Sequence, residues 1–277
     1  MAVSYKITEL WRYPIKSMGG EQLSSVSVRP GGIVGDRRWA LRNAETNKII
    51  SAKRPRPYGR LLEWSAKTLD DGSVVVIGPD GSEFAAGSPE LDQKLTAALG
   101  EPLVVVEVVP GNEETYDSEW PEIPGTLLSE IDVELPIAMM TDRQSFVDLA
   151  ALHIVLEESL HHLGAISGAD VGVGRFRPNL LIRSGDGKGV GEFVDLAWKD
   201  IGATAGDAEL WIADAAPRCV MTTLGHGRFK PAKSILASLA ASARKESDYG
   251  TFACFGTYAE VTSEGSISVG DQLVVAD

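Results

Sequence analysis

The sequence of 277 residues contains only two cysteines, Cys219 and Cys254, and no apolar run long enough to span a membrane. Two cysteines exclude a disulfide framework and any four-cysteine metal or iron–sulfur site. A membrane helix needs about 20 consecutive apolar residues, and residues 1–6 lead directly into a strand-like segment without the apolar core of a signal peptide. We therefore expect a cytoplasmic protein that binds no membrane.

The chain also has an excess of acidic residues, with a formal net charge of −13, which argues against general nucleic-acid binding. The charge is unevenly distributed along the chain. Residues 1–60 contain 12 Lys and Arg against 4 Asp and Glu, whereas the remaining 217 residues contain 14 against 35. A basic N-terminal segment in an acidic protein indicates either a site for an anion or charge matching between the two parts of the chain.

Short strand-like segments separated by turns dominate the sequence. Alternating or continuous apolar residues predict strands that include residues 3–10, 39–41, 61–64, 74–77, 104–109, 180–182, 209–212, 258–261 and 272–275. Ser88-Pro89-Glu90 predicts the start of a helix that ends at Gly100. Residues 146–163 fit either a helix or a short strand that enters a helix near Glu157. The pattern predicts a mostly β (α+β), barrel-like architecture with a few helices.

Proline and acidic residues set apart the middle of the chain. Residues 110–135 are interpreted as a connector or a surface excursion, and the basic residues 53–57 as an extended segment. We place a domain boundary near residue 110, which gives an N-terminal domain of residues 1–110 and a C-terminal domain of residues 111–277.

One thiol lies in an unusual setting. Cys219 follows Pro217 and Arg218 and precedes a hydroxyl-containing run that ends at Thr223. An adjacent cation lowers the free energy of the thiolate, which is the reactive and metal-binding form. A free cysteine can equally serve as a small buried hydrophobe. Cys254, between aromatic residues, is predicted to be such a core residue.

Four cations lie beside turn residues: Lys16, Arg37, Arg177 and Arg218. Arginine binds phosphate bidentately and lysine supplies a point charge, so together they could hold a phosphorylated cofactor near Cys219. Singly, each is better explained as a surface charge or as the partner of an acid such as Asp36. The glycines of residues 172–177 do not form a dinucleotide fingerprint, because the third glycine is missing and Pro178 argues against a following helix.

Five motifs occur in a fixed order: Tyr13–Ser17, Gly35–Trp39, Phe176–Asn179, Pro217–Cys219 with Thr222 and Thr223, and Gly265–Asp271. In these motifs the chain resembles MOSC-domain proteins, the homologues of the molybdenum cofactor sulfurase C-terminal domain. It is most similar to those preceded by an N-terminal MOSC β-barrel domain, the mitochondrial amidoxime reducing components and their bacterial relatives. The resemblance implies a MOSC-type β-barrel after an N-terminal β-barrel-like domain.

The resemblance also implies a molybdenum–molybdopterin cofactor whose metal is ligated by Cys219, the catalytic centre. Lys16, Ser17, Arg37, Arg177 and Arg218 would bind its phosphate and pterin, and Asn179 would shape the wall of that site. The implied reaction is reduction of a small N-hydroxylated substrate. Two departures stand out: residues 146–151 lack the hydroxyls of the eukaryotic reductases, and His226–Phe229 replaces the Asp-Pro-x-Thr-Gly that often follows the threonines.

Other functions remain open at this point. Cys219 could carry a persulfide in a sulfur carrier or a molybdenum cofactor carrier, and the cations could hold pyridoxal phosphate, with Lys16 as the Schiff-base lysine. If the protein is a reductase, two cysteines cannot hold an iron–sulfur cluster, so we expect a separate electron donor: a ferredoxin, a flavoprotein or a b-type cytochrome. Residues 90–142, with 13 acidic residues against Lys94, are either its docking surface or a solvated face.

Overall fold

The structure, a computed structural model, describes residues 2–109, 115–120, 131–136, 144–185, 192–247 and 250–276. Its strands are β1 Val3–Arg12, β2 Glu21–Leu23, β3 Ser25–Arg29, β4 Gly32–Ile33, β5 Trp39–Asn43, β6 Ser65–Thr68, β7 Val74–Ile77, β8 Glu83–Ala85, β9 Leu103–Glu107, β10 Thr115–Trp120, β11 Ile131–Pro136, β12 Leu152–Leu156, β13 Leu180–Ser184, β14 Ile201–Ala205, β15 Ala208–Pro217, β16 Arg244–Ser247, β17 Gly250–Ser263, β18 Gly265–Ser268 and β19 Gln272–Val275.

Helices are fewer and shorter. They are α1 Pro55–Tyr58, α2 Pro89–Leu99, α3 Glu157–Ser167, α4 Val173–Phe176 and α5 Ser234–Ser242, with 3-10 turns at Gly59–Glu63, Val194–Ala197 and Val220–Thr223. None of the helices in the described part of the chain is long and apolar enough to cross a membrane. The mostly β fold predicted from the sequence is confirmed.

Seven of the described strands close into a barrel. Their order is β12, β13, β1, β19, β14, β15 and β17, and the pairing of β17 with β12 completes the circle. Neighbours are antiparallel except β12 and β13, which run parallel. The N-terminal strand β1 therefore lies between strands from the C-terminal half, with Leu10 opposite Leu180 and Val3 opposite Val275.

Strand β12 shows why the barrel needs a helical cover. All five of its residues are buried, because both faces pack against apolar side chains. Successive side chains point to opposite faces of a strand. Accordingly Ile154 belongs to the barrel core, while Val155 packs in a second cluster with Leu160 of α3 and Leu239 of α5. Continuous apolar strands of this kind are typical of sheets that are buried on both sides.

The remaining N-terminal elements form a separate apolar cluster. Strands β5 and β9 pair, β6, β7 and β8 form a three-stranded sheet, and α2 covers them. Helix α2 begins as predicted: the Ser88 hydroxyl accepts a hydrogen bond from the Leu91 amide, and Gly100 ends the helix in the left-handed region. Strands β1 and β3, however, pair with β19 and β18 from the end of the chain, so they belong with the C-terminal part. The domain boundary near residue 110 therefore stays a prediction.

Three local predictions need comment. The strand predicted at residues 61–64 is wrong, because Gly59–Glu63 forms a 3-10 turn whose adjacent Leu61 and Leu62 are both buried, which a one-sided strand does not allow. The segment 53–57, predicted as extended, enters α1 at Pro55, although Arg56 keeps extended angles. Within residues 110–135, Thr115–Trp120 pairs with Ile131–Pro136 as a hairpin, and the rest lies outside the described residues.

Asp195 is a buried acid with an incomplete set of partners. Its Oδ1 accepts a hydrogen bond from Ser159 at 2.7 Å, whereas its Oδ2 has no partner among the described residues. Burial raises the pKa of Asp195 from 3.8 to about 6. The folded chain therefore retains this proton at pH values where the unfolded chain has lost it. The contribution of Asp195 to stability falls as the pH rises between these two values.

We expect Asp195→Asn to stabilise the protein at pH 7.5, because asparagine keeps the acceptor for Ser159 and carries no charge. The gain is up to about 3 kcal/mol at pH 7.5 and smaller at pH 4.5. Denaturant unfolding at the two pH values measures it. Asp207→Asn, which removes the same charge from an exposed turn, is the control. An equal effect of Asp195→Asn at both pH values would contradict this assignment.

Candidate functional site

The tyrosine of the first motif lies against two arginines, of which Arg177 is buried and Arg37 is partly buried. The guanidinium carbons of Arg37 and Arg177 are 4.5 and 4.3 Å from the centroid of the Tyr13 ring. The Tyr13 hydroxyl donates to the Pro178 carbonyl at 3.1 Å. Burial raises the pKa of Tyr13 well above its usual range, although the two arginines oppose that shift. Tyr13 therefore remains a neutral phenol that supports two cations.

The two arginines are compensated differently. Arg37 donates to the Asp36 carboxylate and to the Arg177 carbonyl, the latter at 3.1 Å. Burial alone would lower the pKa of Arg37, but Asp36 reverses the shift and raises it. Arg177 donates to the Met18 carbonyl, and burial together with the charge of Arg37 lowers its pKa to about 10. The pair thus carries more positive charge than Asp36 neutralises.

A second cation cluster adjoins the first. The Lys16 ammonium donates to the Phe146 carbonyl at 2.9 Å and pairs with Asp148, whose other oxygen lies 3.0 Å from Lys53 Nζ. Burial lowers the pKa of Lys16, and Asp148 opposes the shift. Burial alone would raise the pKa of Asp148, but Lys16 and Lys53 hold it well below its usual range. Asp148 is therefore a poor proton donor.

Asn179 joins this site to the barrel. Its side chain accepts hydrogen bonds from Arg37 and from the His153 amide, and donates to the Trp11 carbonyl and to Asp36, all at 3.1–3.2 Å. It is 1% exposed. Asn179 therefore links β1, β12 and the loop that contains Asp36, which suits the wall-shaping role predicted from the sequence.

Cys219 lies on a separate segment, residues 218–224, that follows β15 and is called the Cys219 arm. It is part-exposed and precedes the 3-10 turn, and its carbonyl accepts a hydrogen bond from the Thr222 hydroxyl at 3.0 Å. Buried Arg175 holds this arm by donating to the carbonyls of Thr222 and Leu224. Cys254 is 2% exposed, and burial raises its pKa to about 11. The predicted core role of Cys254 agrees with this burial.

A buried histidine connects the Cys219 arm with the arginines. Burial, Arg218 and Arg37 lower the pKa of His153 well below its usual value, so both cations act on the same ring. Arg218 donates to the Tyr258 hydroxyl at 2.8 Å, and the Tyr258 ring contacts His153 edge-on. A Cβ on Gly256, whose φ is +73°, would lie 2.5 Å from His153 Nε2. The His153 ring therefore stays neutral within the electrostatic reach of both arginines.

Three of the predicted site residues have strained backbones. Ser17, Arg37 and Arg177 have φ values of 67°, 46° and 54°, and they make up half of the non-glycine residues with positive φ in the described ranges. Ser17 Oγ also accepts a hydrogen bond from the Ala52 amide at 3.0 Å. A left-handed residue other than glycine costs about 1–3 kcal/mol, and such strain clusters at functional sites. The positive φ values therefore support a functional site here.

The structure brings together Lys16, Arg37, Arg177 and Asn179, with Ser17 next to Lys16. It connects Arg218 to them through His153. Cys219 follows Arg218 on the other arm, and the roles of all seven residues stay predictions. Sequence reasoning missed Lys53, His153 and Arg175 as supports of the site. Tyr13 belongs to the first of the five sequence motifs, whereas no residue pattern around His153 or Arg175 indicates that they lie beside the cations.

A groove with a volume of about 190 Å³ opens beside Tyr13 and Arg177. Its other wall is the tight hairpin of residues 226–229, in which the amides of His226 and Phe229 bond to each other's carbonyls. Cys219 is not among the residues that line it. The glycines of residues 172–174 lie at the single turn of α4, which ends at Arg177 because its backbone is left-handed. Strand β13 follows from Leu180, so no helix comes after Pro178, as the sequence predicts.

Comparison with known families gives two matches. The model of the MOSC domain matches residues 141–274, and that of the MOSC N-terminal beta barrel domain matches residues 4–107. The chain belongs to the MOSC-domain proteins. As a MOSC protein it is similar to mitochondrial amidoxime-reducing component 1 of Mus musculus (23% identical) and of Homo sapiens (24%), and to component 2 of Rattus norvegicus (27%). Each alignment covers 96% of this chain and 80–81% of the relative.

Solved structures resemble this MOSC protein more distantly. The YUAD protein from Bacillus subtilis aligns over 99% of this chain and 97% of its own, with a TM-score of 0.44 and 11% identity. YiiM from Geobacillus stearothermophilus aligns over 46% of this chain and 55% of its own, with a TM-score of 0.31 and 16% identity. Neither similarity is close enough to carry an argument about the site.

We expect Asn179→Ala to lower the free energy of unfolding by about 3 kcal/mol, because it leaves buried donors and acceptors of three chain segments unpaired. Gln22→Ala is the matched control, since Gln22 is an exposed amide on β2, which pairs with the same strand β1. Its effect should be about 0.5 kcal/mol or less. Denaturant unfolding compares the two variants, and equal losses would show that Asn179 is not the link described above.

Proposed function

We propose that this protein is a molybdenum-cofactor-dependent reductase of N-hydroxylated compounds that receives electrons from a separate protein. The observation that carries the proposal is the contrast between the two thiols. Cys254 is buried with a raised pKa, whereas Cys219 is part-exposed beside Arg218, at the arm that His153 connects to the other cations. Relatives named amidoxime-reducing components align over almost the whole chain.

The residues present fit an anionic cofactor. Arg37 pairs with Asp36, and Arg177 lies against the same tyrosine. Lys16 and Lys53 share Asp148, so that four cations gathered in one region would attract an incoming phosphate. The backbone at Arg37, Arg177 and Ser17 is strained before anything binds. These features support a preorganised phosphate site.

A buried hydroxyl adds to this fit. Ser145 is 4% exposed, and its Oγ has no hydrogen-bond partner among the described residues. It directly precedes Phe146, whose carbonyl accepts from Lys16 and whose amide donates to the Arg37 carbonyl. A buried unsatisfied hydroxyl at this position is explained by a polar ligand group. Ser145 therefore offers a hydroxyl directly before residues 146–151, a stretch without hydroxyl side chains.

The donor set also fits a metal that arrives within an organic cofactor. No cluster of three His, Cys, Asp or Glu side chains that could hold a metal ion occurs among the described residues. A metal already held by a cofactor needs one protein ligand, and a soft thiolate such as that of Cys219 suits molybdenum. Metal binding would keep this thiol deprotonated, and Arg218 lies next to it in sequence.

The chain's own residues have defined tasks in this mechanism. When bound, the cofactor supplies the two-electron chemistry that cleaves the N–O bond: the substrate takes up two electrons and two protons and releases water. Cys219 holds the metal, and the cations fix the phosphate. Asp148 remains ionised and Tyr13 remains protonated, so neither provides the protons; they hold the cations in place. The two protons that accompany the two electrons therefore come from other groups of the site or from solvent.

The first test is molybdenum analysis of protein made in a cofactor-producing host. We expect near-stoichiometric metal in the unchanged protein and in Cys254→Ala, and loss of metal in Cys219→Ala. Equal molybdenum in both variants would overturn the assignment of Cys219. Mass spectrometry and a visible spectrum of the same samples separate the alternatives. One added sulfur on Cys219 without molybdenum indicates a persulfide carrier, and absorbance of a lysine imine indicates pyridoxal phosphate.

The second test concerns the electron source. We expect no turnover of an N-hydroxy substrate when the isolated chain is given NADH or NADPH, and turnover when a reductase and a ferredoxin, flavoprotein or b-type cytochrome are added. Electrostatic docking of the donor on residues 90–142 should weaken as salt rises. Between residues 110 and 142 the structure describes only Thr115–Trp120 and Ile131–Pro136. Full nucleotide-driven activity of the isolated chain would contradict the proposal. A cytoplasmic location remains a prediction, based on the two free cysteines.

A further inference from the structure

We infer that the groove between Tyr13 and the hairpin of residues 226–229 is a substrate subsite for planar aromatic compounds that carry a carboxylate, an inference that rests on the proposed function. The aromatic character comes from both walls. Trp11 and Tyr13 stack with centroids 6.3 Å apart and an interplanar angle of 17°, and Phe229 lines the same groove from the hairpin. Its volume of about 190 Å³ suits one substituted ring, since a cavity of about 150 Å³ binds benzene.

The hairpin is built as a rigid wall. His226 contacts the Leu224 and Gly174 carbonyls at 3.3 Å, and Arg175 lies 4.7 Å beneath the Phe229 ring centroid. A Cβ on Gly174 would lie 2.9 Å from the Phe229 ring, so glycine at this position lets the ring pack down on α4. A preorganised wall of this kind loses little entropy when a ring binds.

The charge of the groove favours an anion. Arg177 and Arg228 line it, and among the described residues no carboxylate does, in a protein whose net charge is −13. Arg228 lies across the Phe229 ring at 5.0 Å, and its side chain is 74% exposed. Its Nε is 3.9 Å from the exposed Asp170, a pair of little strength. Arg228 can therefore turn to a carboxylate on a ring that lies between the aromatic walls.

The experiment compares 4-carboxybenzamidoxime with benzamidoxime, which differ only in the carboxylate. Calorimetry on the cofactor-loaded protein without electron donor measures binding, and steady-state assays with the donor system measure KM. We expect the unchanged protein to favour the carboxylated compound by about fivefold, as a partly exposed ion pair allows. Arg228→Ala should abolish this preference and Arg228→Lys should keep part of it. Lys230→Ala, an exposed cation that does not line the groove, should retain it.

The two proposals fail in different ways. Equal affinity for both compounds in the unchanged protein, or the same preference in Arg228→Ala as in Lys230→Ala, would overturn the groove assignment even if both compounds are reduced. Selective binding that is lost in Arg228→Ala, without reduction of either compound, would support the groove and contradict the reductase.

Discussion

The burial of Arg37 and Arg177 against one tyrosine is the constraint on which the rest of the site depends. An unpaired buried charge costs several kcal/mol, and two like charges beside one ring cost more. Asp36 compensates Arg37, while the carbonyls of Met18 and Arg177 and the side chain of Asn179 accept further hydrogen bonds from the two arginines. The positive charge that Asp36 leaves uncompensated is the reason why an anionic ligand is expected to stabilise this fold when it binds.

Strand β1 explains how residues distant in sequence meet at these arginines. It pairs with β13 and β19, so the loop that follows it, with Tyr13 and Lys16, starts from the barrel itself. Asn179 directly precedes β13 and bonds to the Trp11 backbone in both directions, through its side chain and its carbonyl. The N-terminal loop and the Arg177 turn are thus fixed to adjacent strands.

Much of the fold could be predicted because its signals are local. The period of two in β15 and β19, and the cap residues of α2, report on the nearest neighbours alone. The turn at Gly59–Glu63 could not be predicted, because Leu61 packs into the tertiary cluster of the N-terminal elements, which no pattern within the segment indicates. The closure of the barrel through β12 and β17 also joins segments about 100 residues apart.

Some residues of the site could likewise be predicted from the sequence, and others could not. Lys16, Arg37, Arg177 and Arg218 stood out because cations beside glycine and proline are unusual for solvated surfaces, and Cys219 because thiols are rare in this chain. Lys53 and His153 look ordinary in sequence. Lys53 matters because it forms an ion pair with Asp148, which also pairs with Lys16. His153 matters because the charges of two arginines lower its pKa. Their roles arise from electrostatic contact across the fold, which no spacing along the chain encodes.

The glycines of residues 172–174 do not form a dinucleotide site, but they have a structural role in packing the hairpin of residues 226–229. They lack the third glycine of a dinucleotide site, and the backbone there makes one helical turn. Both glycines lie under the hairpin: added Cβ atoms would meet the Phe229 ring at 3.1 and 2.9 Å. The glycines and the residues 226–229 therefore form one structural unit. In the proposed function, this unit is the wall against which the substrate ring packs, so the two glycines are needed for that wall to form.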